Sequence, residues 1–504
     1  MPRISREHAH ALVSGDQKQD LHEQLGRAIG IAAARGSGAV PIGQVENELW
    51  ALMLGLGRAL MSHYLSAHAA SRGCAGPMRR RSINTLFGWV EYERPYERPL
   101  SANGSGFHPT DVEIGLSADR ASPVLLNLGA RLATRMSFSA AQEVLRWLVP
   151  TAPSTEVIEQ TVLGLAHHTQ SWFESAPTPP DDGDVLVISI DSKGVPTATD
   201  AELALRRGPR REKVQAPSQR HRGRSLRQER GPKPRRKKGD KSKNAKMATL
   251  VLMYTLRRDG PLLLGPLNRR VYASFAHKEH AFEIARREAE RRGFGVKSGR
   301  TVQLVTDGEN CWTSLAKKHL PHAMHTLDVV HVLEKLWSAG ETIFAEGTPA
   351  CARWVSRQRK RLYAGRIHLV LRELRARLDA TPKTGPGNKG KRTRLELVLN
   401  YLTKRTDQMR YDEWVAQDLE VASGPVEGAI KYLIARRFDQ GGMRWTQQRA
   451  EALLQLRCIE ANGHWDLFTR FVGERERDQS LLSRSPRLLK TRLPPPLAMA
   501  KRAD

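Results

Sequence analysis

The sequence predicts an α/β protein in which helices flank a mixed β-sheet. From about residue 184 onward, short apolar runs alternate with charged amphipathic segments, as strands and helices do. Two of the apolar runs end in an aspartate, Asp191 and Asp307, and strand-end carboxylates lie where open α/β sheets place their chemistry. A third acid, Glu427, follows a Ser-Gly-Pro turn at the start of an amphipathic helix. These three acids are the candidate functional residues.

Five strands are predicted in this region from apolar and β-branched runs bounded by Gly and Pro. Three come in a row and are followed by helix, strand, helix and strand, which is the order of the ribonuclease-H-like fold. The predicted strands are Val185–Ile190, Met247–Leu256, Arg269–Phe275, Thr301–Thr306 and Ala323–Val330, and the helices are Lys278–Arg292 and Asn310–His319.

The other regions are predicted to be mostly helical. They are an N-terminal region (1–72), a small strand-containing segment (73–118), a helical region (119–180), an all-helical insertion (331–418) and a proline-rich tail expected to be disordered (473–504), so that 181–330 and 419–472 form the sheet domain. In the first region, an apolar stripe at helical spacing predicts core packing, with a dimer seam as the alternative; it consists of Val45, Leu49, Leu52, Leu56 and Leu60.

Two short segments of the N-terminal half suggest specific motifs. Thr85–Tyr92 predicts a strand or a hairpin. Ser139 is expected to cap a helix that runs to Trp147, and Ser154 to cap the next helix, which is the spacing of a helix-turn-helix. Two ordinary capped helices would give the same pattern, because this arrangement is common.

Composition excludes several classes of protein. The four cysteines form no close pair, which excludes a disulfide framework and a Cys-x-x-Cys zinc site and fits a reducing cytoplasm. The start of the chain lacks the apolar core of a signal peptide, and the longest apolar run, Leu250–Leu256, is too short to span a bilayer. We therefore expect a cytoplasmic protein without a membrane partner.

The net charge of +28 is concentrated in one basic segment. Residues 206–246 hold 18 Lys and Arg against three acids and almost no large apolar side chains. Such a segment cannot form a core and favours contact with nucleic-acid phosphates, a solvated loop being the alternative. The candidate DNA contacts in this segment are Arg235, Arg236, Lys237 and Lys238.

With these motifs in place, the chain resembles the ISKra group of bacterial insertion-sequence transposases, over roughly residues 70–470. Each motif is weak by itself, and their order and spacing make the match specific. The matching segments are Asp191–Pro196, Thr306–Gly308, Leu327–His331, Ser423–Gly428, Gly442–Trp445, Ala450–Ala452, Leu456–Arg457 and Gly463–Asp466.

The resemblance implies a DDE transposase with a ribonuclease-H-like fold. Three carboxylates can hold two divalent ions roughly 4 Å apart for in-line phosphoryl displacement. In the implied site, Asp191 bridges two Mg²⁺ (or Mn²⁺) ions, Asp307 binds one and Glu427 the other. The substrates would be the element's terminal inverted repeats and target DNA. Synapsis of two ends implies a homodimer or a higher oligomer, located in the cytoplasm at the bacterial nucleoid.

Relatives often carry a cysteine-rich metal-binding ribbon, and this chain keeps only Cys74 there. A zinc ion is therefore not expected, and packing alone should hold the 73–118 segment. Asp328 and His331 are predicted to orient DNA or a metal-binding carboxylate without binding metal themselves. The remaining predicted DNA contacts are Lys431, Arg436, Arg437, Arg444 and Trp445.

The three acids could also have purely structural roles. Asp191 could be a turn residue, Asp307 a helix cap and Glu427 a first-turn acid that favours its helix dipole. Two further functions therefore remain open: a DNA-binding descendant that no longer cuts, and a nuclease that cuts without joining.

The residues around the acids could equally be structural. Asp328 could cap the helix that follows it. His331 and Trp445 could pack against neighbouring side chains, and Lys431 could form an intrahelical ion pair.

Overall fold

The computed structural model describes residues 17–36, 38, 40–71, 76–98, 106–117, 119–201, 245–439 and 445–484. Two compact units emerge, one of Met1–Trp172 with Gly463–Asp504 and one of Phe173–Asn462. Residues 463–472 were expected in the sheet domain and belong instead to the N-terminal unit. The reason is aromatic packing: Phe468 and Phe471 lie edge-on to Trp172 at centroid distances of 5.9 and 5.5 Å.

The N-terminal unit contains a β-hairpin and eight helices within its described residues. In chain order they are α1 (Gln17–Gly36), α2 (Ile42–Ser71), β1 (Met78–Thr85), β2 (Gly88–Pro95), α3 (Pro109–Glu113), α4 (Pro123–Arg135), α5 (Phe138–Leu148), α6 (Thr155–Ala166), α7 (Thr169–Ser175, which continues past Trp172) and α18 (Trp465–Arg484). The prediction that the chain is disordered from residue 473 is wrong as far as Arg484, because α18 continues to that residue.

A buried ion-pair network holds the hairpin, which corrects the expectation that packing alone would do so. The carboxylate of Asp111 on α3 is 3% exposed. It accepts from Arg81 Nη1 at 2.6 Å and from the Tyr92 hydroxyl at 2.5 Å, and it also pairs with Arg94. A buried charge is tolerated when it is paired and hydrogen-bonded in this way.

The predicted hairpin is observed, and one of the two predicted helix caps is confirmed. Ser154 caps α6, as predicted, by accepting from Val157 N. The cap of α5 is Ser137 rather than Ser139, because the Ser137 hydroxyl accepts from Ala140 N and the helix begins at Phe138. The predicted apolar stripe on α2 is wrong at Leu60, which is 52% exposed, while Leu54 and Leu65 are buried.

The second unit is built on a five-stranded sheet flanked by helices. Its elements are β3 (Val185–Pro196), β4 (Ala245–Asp259), β5 (Leu262–Ser274), α8 (Lys278–Arg291), β6 (Thr301–Thr306), α9 (Asn310–His319), β7 (Met324–Leu327), α10 (Val329–Phe344), α11 (Pro349–Tyr363), α12 (Ile367–Ala380), α13 (Asn388–Thr403), a 3₁₀ turn (Thr406–Gln408), α14 (Tyr411–Ala416), α15 (Gly424–Ile430), a π-helical turn (Lys431–Ala435), α16 (Arg436–Phe438) and α17 (Gln447–Ala461).

The strands lie in the order β5-β4-β3-β6-β7. β4 pairs antiparallel with β3 and β5, whereas β3, β6 and β7 run parallel. Apolar residues of β3 and β6 pack with α8 and α9 in one buried cluster that includes Ile188, Leu304, Phe282 and Trp312. The predicted mixed α/β fold with a flanked sheet is therefore confirmed at this level.

Several predicted strand ends differ from the structure, among them both ends of β4, which runs from Ala245 to Asp259 instead of from Met247 to Leu256. β3 continues to Pro196 because β4 pairs with it over its whole length. β5 begins earlier, at Leu262, because it forms a hairpin with β4. β7 ends at Leu327 instead of Val330, because α10 begins at Val329. Among the described residues, every helix is too short or too polar to cross a lipid bilayer.

Helices α10 to α14 lie between β7 and α15 in the chain, and one carboxylate joins two of them. Burial opposes ionisation of Glu373 on α12, but hydrogen bonds from Trp354, Arg361 and Gln358 on α11 outweigh it and lower its pKa to about 2. This network ties α11 to α12. Of the basic side chains of α11 that pair with this carboxylate, Arg361 is half-buried and Arg357 stays exposed.

Candidate active site

The two aspartates of the sheet lie at the same edge. β3 and β6 pair in parallel, and the last pair of their ladder is Ile190 with Thr306. Asp191 and Asp307 each follow that pair by one residue. Because parallel strands end at the same sheet edge, this register brings the two carboxylates near each other. Asp191 still lies within β3, opposite Leu250 of β4, so its backbone is fixed by the sheet.

The charges of the other two predicted acids affect the pKa of Asp191. Burial raises the pKa of Asp191 most, and repulsion from Asp307 and Glu427 raises it further. A hydrogen bond from Ser192 N and the nearby His331 act in the opposite direction. A carboxylate so placed gains from a neighbouring cation, because positive charge favours its ionised form. Asp307 and Glu427 therefore lie near enough to raise the pKa of Asp191, while the group found within metal-binding reach among the described residues is Asp328, His331 and Glu427.

Asp307 is held from several sides. Its Oδ1 accepts from Trp312 Nε1 at 2.7 Å and from Glu309 N at 3.0 Å. Its backbone oxygen accepts from the Tyr401 hydroxyl of α13 at 2.8 Å. Gly308 follows with φ +80°, and a Cβ there would lie 2.5 Å from both Leu327 Cδ1 and Tyr401 Oη. A side chain at position 308 would be strained by the positive φ and would displace these two neighbours, so glycine suits this position.

Contacts between residues far apart in the sequence determine the position of Glu427. Gln303 in β6 donates to Glu420 O at 2.6 Å and accepts from Glu420 N at 3.1 Å. Val421 O accepts from Val329 N at 2.9 Å. These bonds fix the segment before α15, which packs on β3 and β4 and carries Glu427. Sequence reasoning missed Gln303, although a glutamine inside the apolar strand Thr301–Thr306 is a usable signal.

Asp328 and Ser423 join the start of α10, which carries His331, to the start of α15, which carries Glu427. Asp328 is fully buried, and its Oδ1 accepts from Val330 N at 2.7 Å as the cap of α10. Its Oδ2 accepts from the Ser423 hydroxyl, at the start of α15. The structural role considered for Asp328, a helix cap, is therefore observed. Ser423 belongs to a motif that the sequence singled out, but its link to Asp328 was not predicted.

His331 lies one turn beyond Asp328 and close to Glu427. One ligand atom from each of Asp328, His331 and Glu427 lies within 4.8 Å of the others. His331 Nε2 is 3.9 Å from Asp328 Oδ2, and Nδ1 is 3.0 Å from Glu334 Oε2. Two carboxylates and an imidazole are suitable metal ligands, and the acids of this edge fit a divalent ion.

The predicted DNA contacts divide into three groups. Lys431 and Arg436 are exposed. Arg437 and Trp445 are only 2% and 7% exposed, and the guanidinium lies 4.6 Å from the indole centroid, so their assignment to DNA is corrected to packing. Burial lowers the pKa of Arg437 to about 10. The remaining predicted contacts lie outside the described residues: Arg235, Arg236, Lys237, Lys238 and Arg444.

No model of a known protein family matches the sequence, and no curated protein matches it significantly. Among solved structures, the chain is similar to the Drosophila P element transposase strand transfer complex. The TM-score is 0.32 and the identity 11%, over 70% of this chain and 95% of the other. A likeness at a TM-score this low carries no conclusion about activity.

Proposed function

We propose that the chain is a metal-dependent DNA transposase with a ribonuclease-H-like catalytic domain, of the ISKra type that its motifs resemble. The observation that supports this proposal best is the convergence of Asp191, Asp307 and Glu427. The three acids come from β3, the loop after β6 and α15, and Asp307 and Glu427 both act on the pKa of Asp191. Carboxylates that repel one another at a fixed sheet edge are suited to cations.

The sheet order supports the ribonuclease-H-like assignment. Counted within this unit, the strands lie in the order 3-2-1-4-5, and the second strand is antiparallel to both of its neighbours. Asp191 is on the central strand, and Asp307 follows its parallel neighbour. This arrangement holds Asp191 on a strand and Asp307 in the hydrogen-bonded loop after β6, while the first turn of α15 supplies Glu427.

The proposed reaction is phosphodiester cleavage at the element's ends, followed by joining to target DNA. Two Mg²⁺ or Mn²⁺ ions, when bound, supply an activated oxygen nucleophile and a stabilised leaving oxygen. Asp191 would contact both ions, with Asp307 and Glu427 on either side. The Trp312 and Tyr401 hydrogen bonds hold Asp307 in place. Preorganised ligands of this kind need little rearrangement during the reaction.

We propose DNA as the partner because the chain is strongly basic and DNA is a polyanion. The chain carries +28 overall, and Lys431 and Arg436 are exposed just beyond Glu427 in the chain. We propose terminal inverted repeats and target DNA as substrates, and a homodimer or higher oligomer at the bacterial nucleoid as the active form. Phosphate contacts of this kind make affinity fall as salt rises.

The test is cleavage and strand transfer with the element's own ends, Mg²⁺ and a target plasmid. Asp191→Asn, Asp307→Asn and Glu427→Gln should each abolish cleavage and leave end binding intact, because each keeps the shape and removes a metal-binding charge. Asp259→Asn is the matched control: Asp259 is an exposed acid at the end of antiparallel β4, at the opposite sheet edge. It should cleave normally.

The results also separate transposition from the two remaining functions. Near-normal cleavage by any of the three variants removes that residue from the site. Cleavage without a joined product identifies a nuclease, and end binding without cleavage by the wild-type protein identifies a descendant that has lost activity.

A further inference from the structure

We propose that Asp328, His331 and Glu427 form a metal subsite of mixed nitrogen and oxygen ligands that prefers a first-row transition ion such as Mn²⁺ to Mg²⁺. The inference rests on the proposed function only through Glu427, which both share. It replaces the expectation that His331 stays apart from the metal.

Two helix starts bring the three ligands together. Asp328 caps α10 and His331 follows one turn later, while Glu427 lies in the first turn of α15. The Ser423 hydroxyl bonds Asp328 Oδ2 and so connects the two helix starts directly. Each oxygen of Asp328 accepts one hydrogen bond, and a carboxylate oxygen has a second lone pair, so Asp328 can still bind a cation.

The second observation concerns the imidazole. Glu334 Oε2 lies 3.0 Å from His331 Nδ1, which makes Nδ1 the protonated nitrogen and leaves a lone pair on Nε2. Histidines that bind metals usually donate their other ring N–H to a carboxylate in this way. His331 Nε2 is directed to the acidic cluster and lies 3.9 Å from Asp328 Oδ2. That distance is too long for a hydrogen bond and leaves space between the atoms.

The dimensions suit a small divalent ion. With metal–ligand bonds of about 2.1 Å, neighbouring ligands lie about 3 Å apart and opposite ligands about 4 Å apart. The three ligand atoms lie within 4.8 Å of one another, so a bound ion would draw them together by roughly 1 Å. Imidazole suits transition ions, whereas Mg²⁺ prefers oxygen ligands alone and keeps its waters.

The experiment measures Mn²⁺ on the full-length protein without DNA. Electron spin-echo envelope modulation should show ¹⁴N coupling from a coordinated imidazole in the wild type and none in His331→Gln. In titrations followed by the free Mn²⁺ signal, His331→Gln should weaken one Mn²⁺ site by about tenfold or more, with Mg²⁺ binding changed far less. Glu334→Gln should weaken the same site by a smaller factor while keeping the nitrogen coupling.

Three controls make the outcome decisive. His322→Gln should keep the coupling, because His322 is half-buried and its Nε2 bonds Phe294 O instead. Asp191→Asn and Asp307→Asn should lose cleavage and keep the coupling, which separates this proposal from the proposed function. Absence of ¹⁴N coupling in the folded wild type, or its persistence in His331→Gln, would overturn the proposal.

Discussion

Replacing Ser423 by alanine tests the link that places Glu427. The Ser423 hydroxyl is directed away from its own helix and donates to Asp328 Oδ2, with Ser423 4% exposed and Asp328 fully buried. The substitution removes one oxygen and leaves a buried carboxylate short of a partner. A hydrogen bond to a charged group is worth about 1.5–3 kcal/mol, so we expect the free energy of unfolding to fall by about 2 kcal/mol.

The assay is urea denaturation at pH 7, in which the midpoint should fall with an unchanged m-value. Ser314→Ala is the matched control, because the Ser314 hydroxyl makes an exposed bond to Cys311 O; its effect should stay within about 0.5 kcal/mol. Ser423→Ala should also weaken binding of divalent ions, since α15 loses its bond to the cap of α10. A stability equal to that of Ser314→Ala would refute the reasoning.

Two further predictions concern pH and salt. Burial, aided by the charge of Arg405, lowers the pKa of His325 to about 4, below its unfolded value of about 6.5. Between about pH 4 and pH 6.5 the unfolded chain therefore binds more protons than the folded chain. The contribution of neutral His325 to the free energy of unfolding is complete above pH 6.5 and falls by about 2 kcal/mol by pH 5. Urea titrations at pH 7 and 5 should show that loss in the wild type and little of it in His325→Asn; an equal loss in both contradicts the assignment. Deleting residues 210–243 should weaken DNA binding and flatten its salt dependence without lowering the melting temperature. An unchanged salt slope would identify this segment as a passive loop.

Local patterns in the chain were enough to predict the α/β class and the two aspartates of the sheet edge. Apolar periodicity is a local property, so Thr301–Thr306 and Asn310–His319 were predicted with the bounds that the structure has. Parallel pairing of β3 with β6 then brings Asp191 and Asp307 to one edge. The strands themselves depend only on neighbouring residues, whereas the pairing of β3 with β6 joins segments far apart in the chain.

Long-range packing, in contrast, determines which side chains meet across large separations in the chain. Ser423 bonds Asp328 from 95 residues away, and Phe468 packs on Trp172, which moves the C-terminal helix to the N-terminal unit. Arg437 lies buried against Trp445 although its sequence context is that of a basic surface. The physical reason is that burial and pairing depend on what packs above a residue, and a contact between distant segments leaves no periodic pattern in either one.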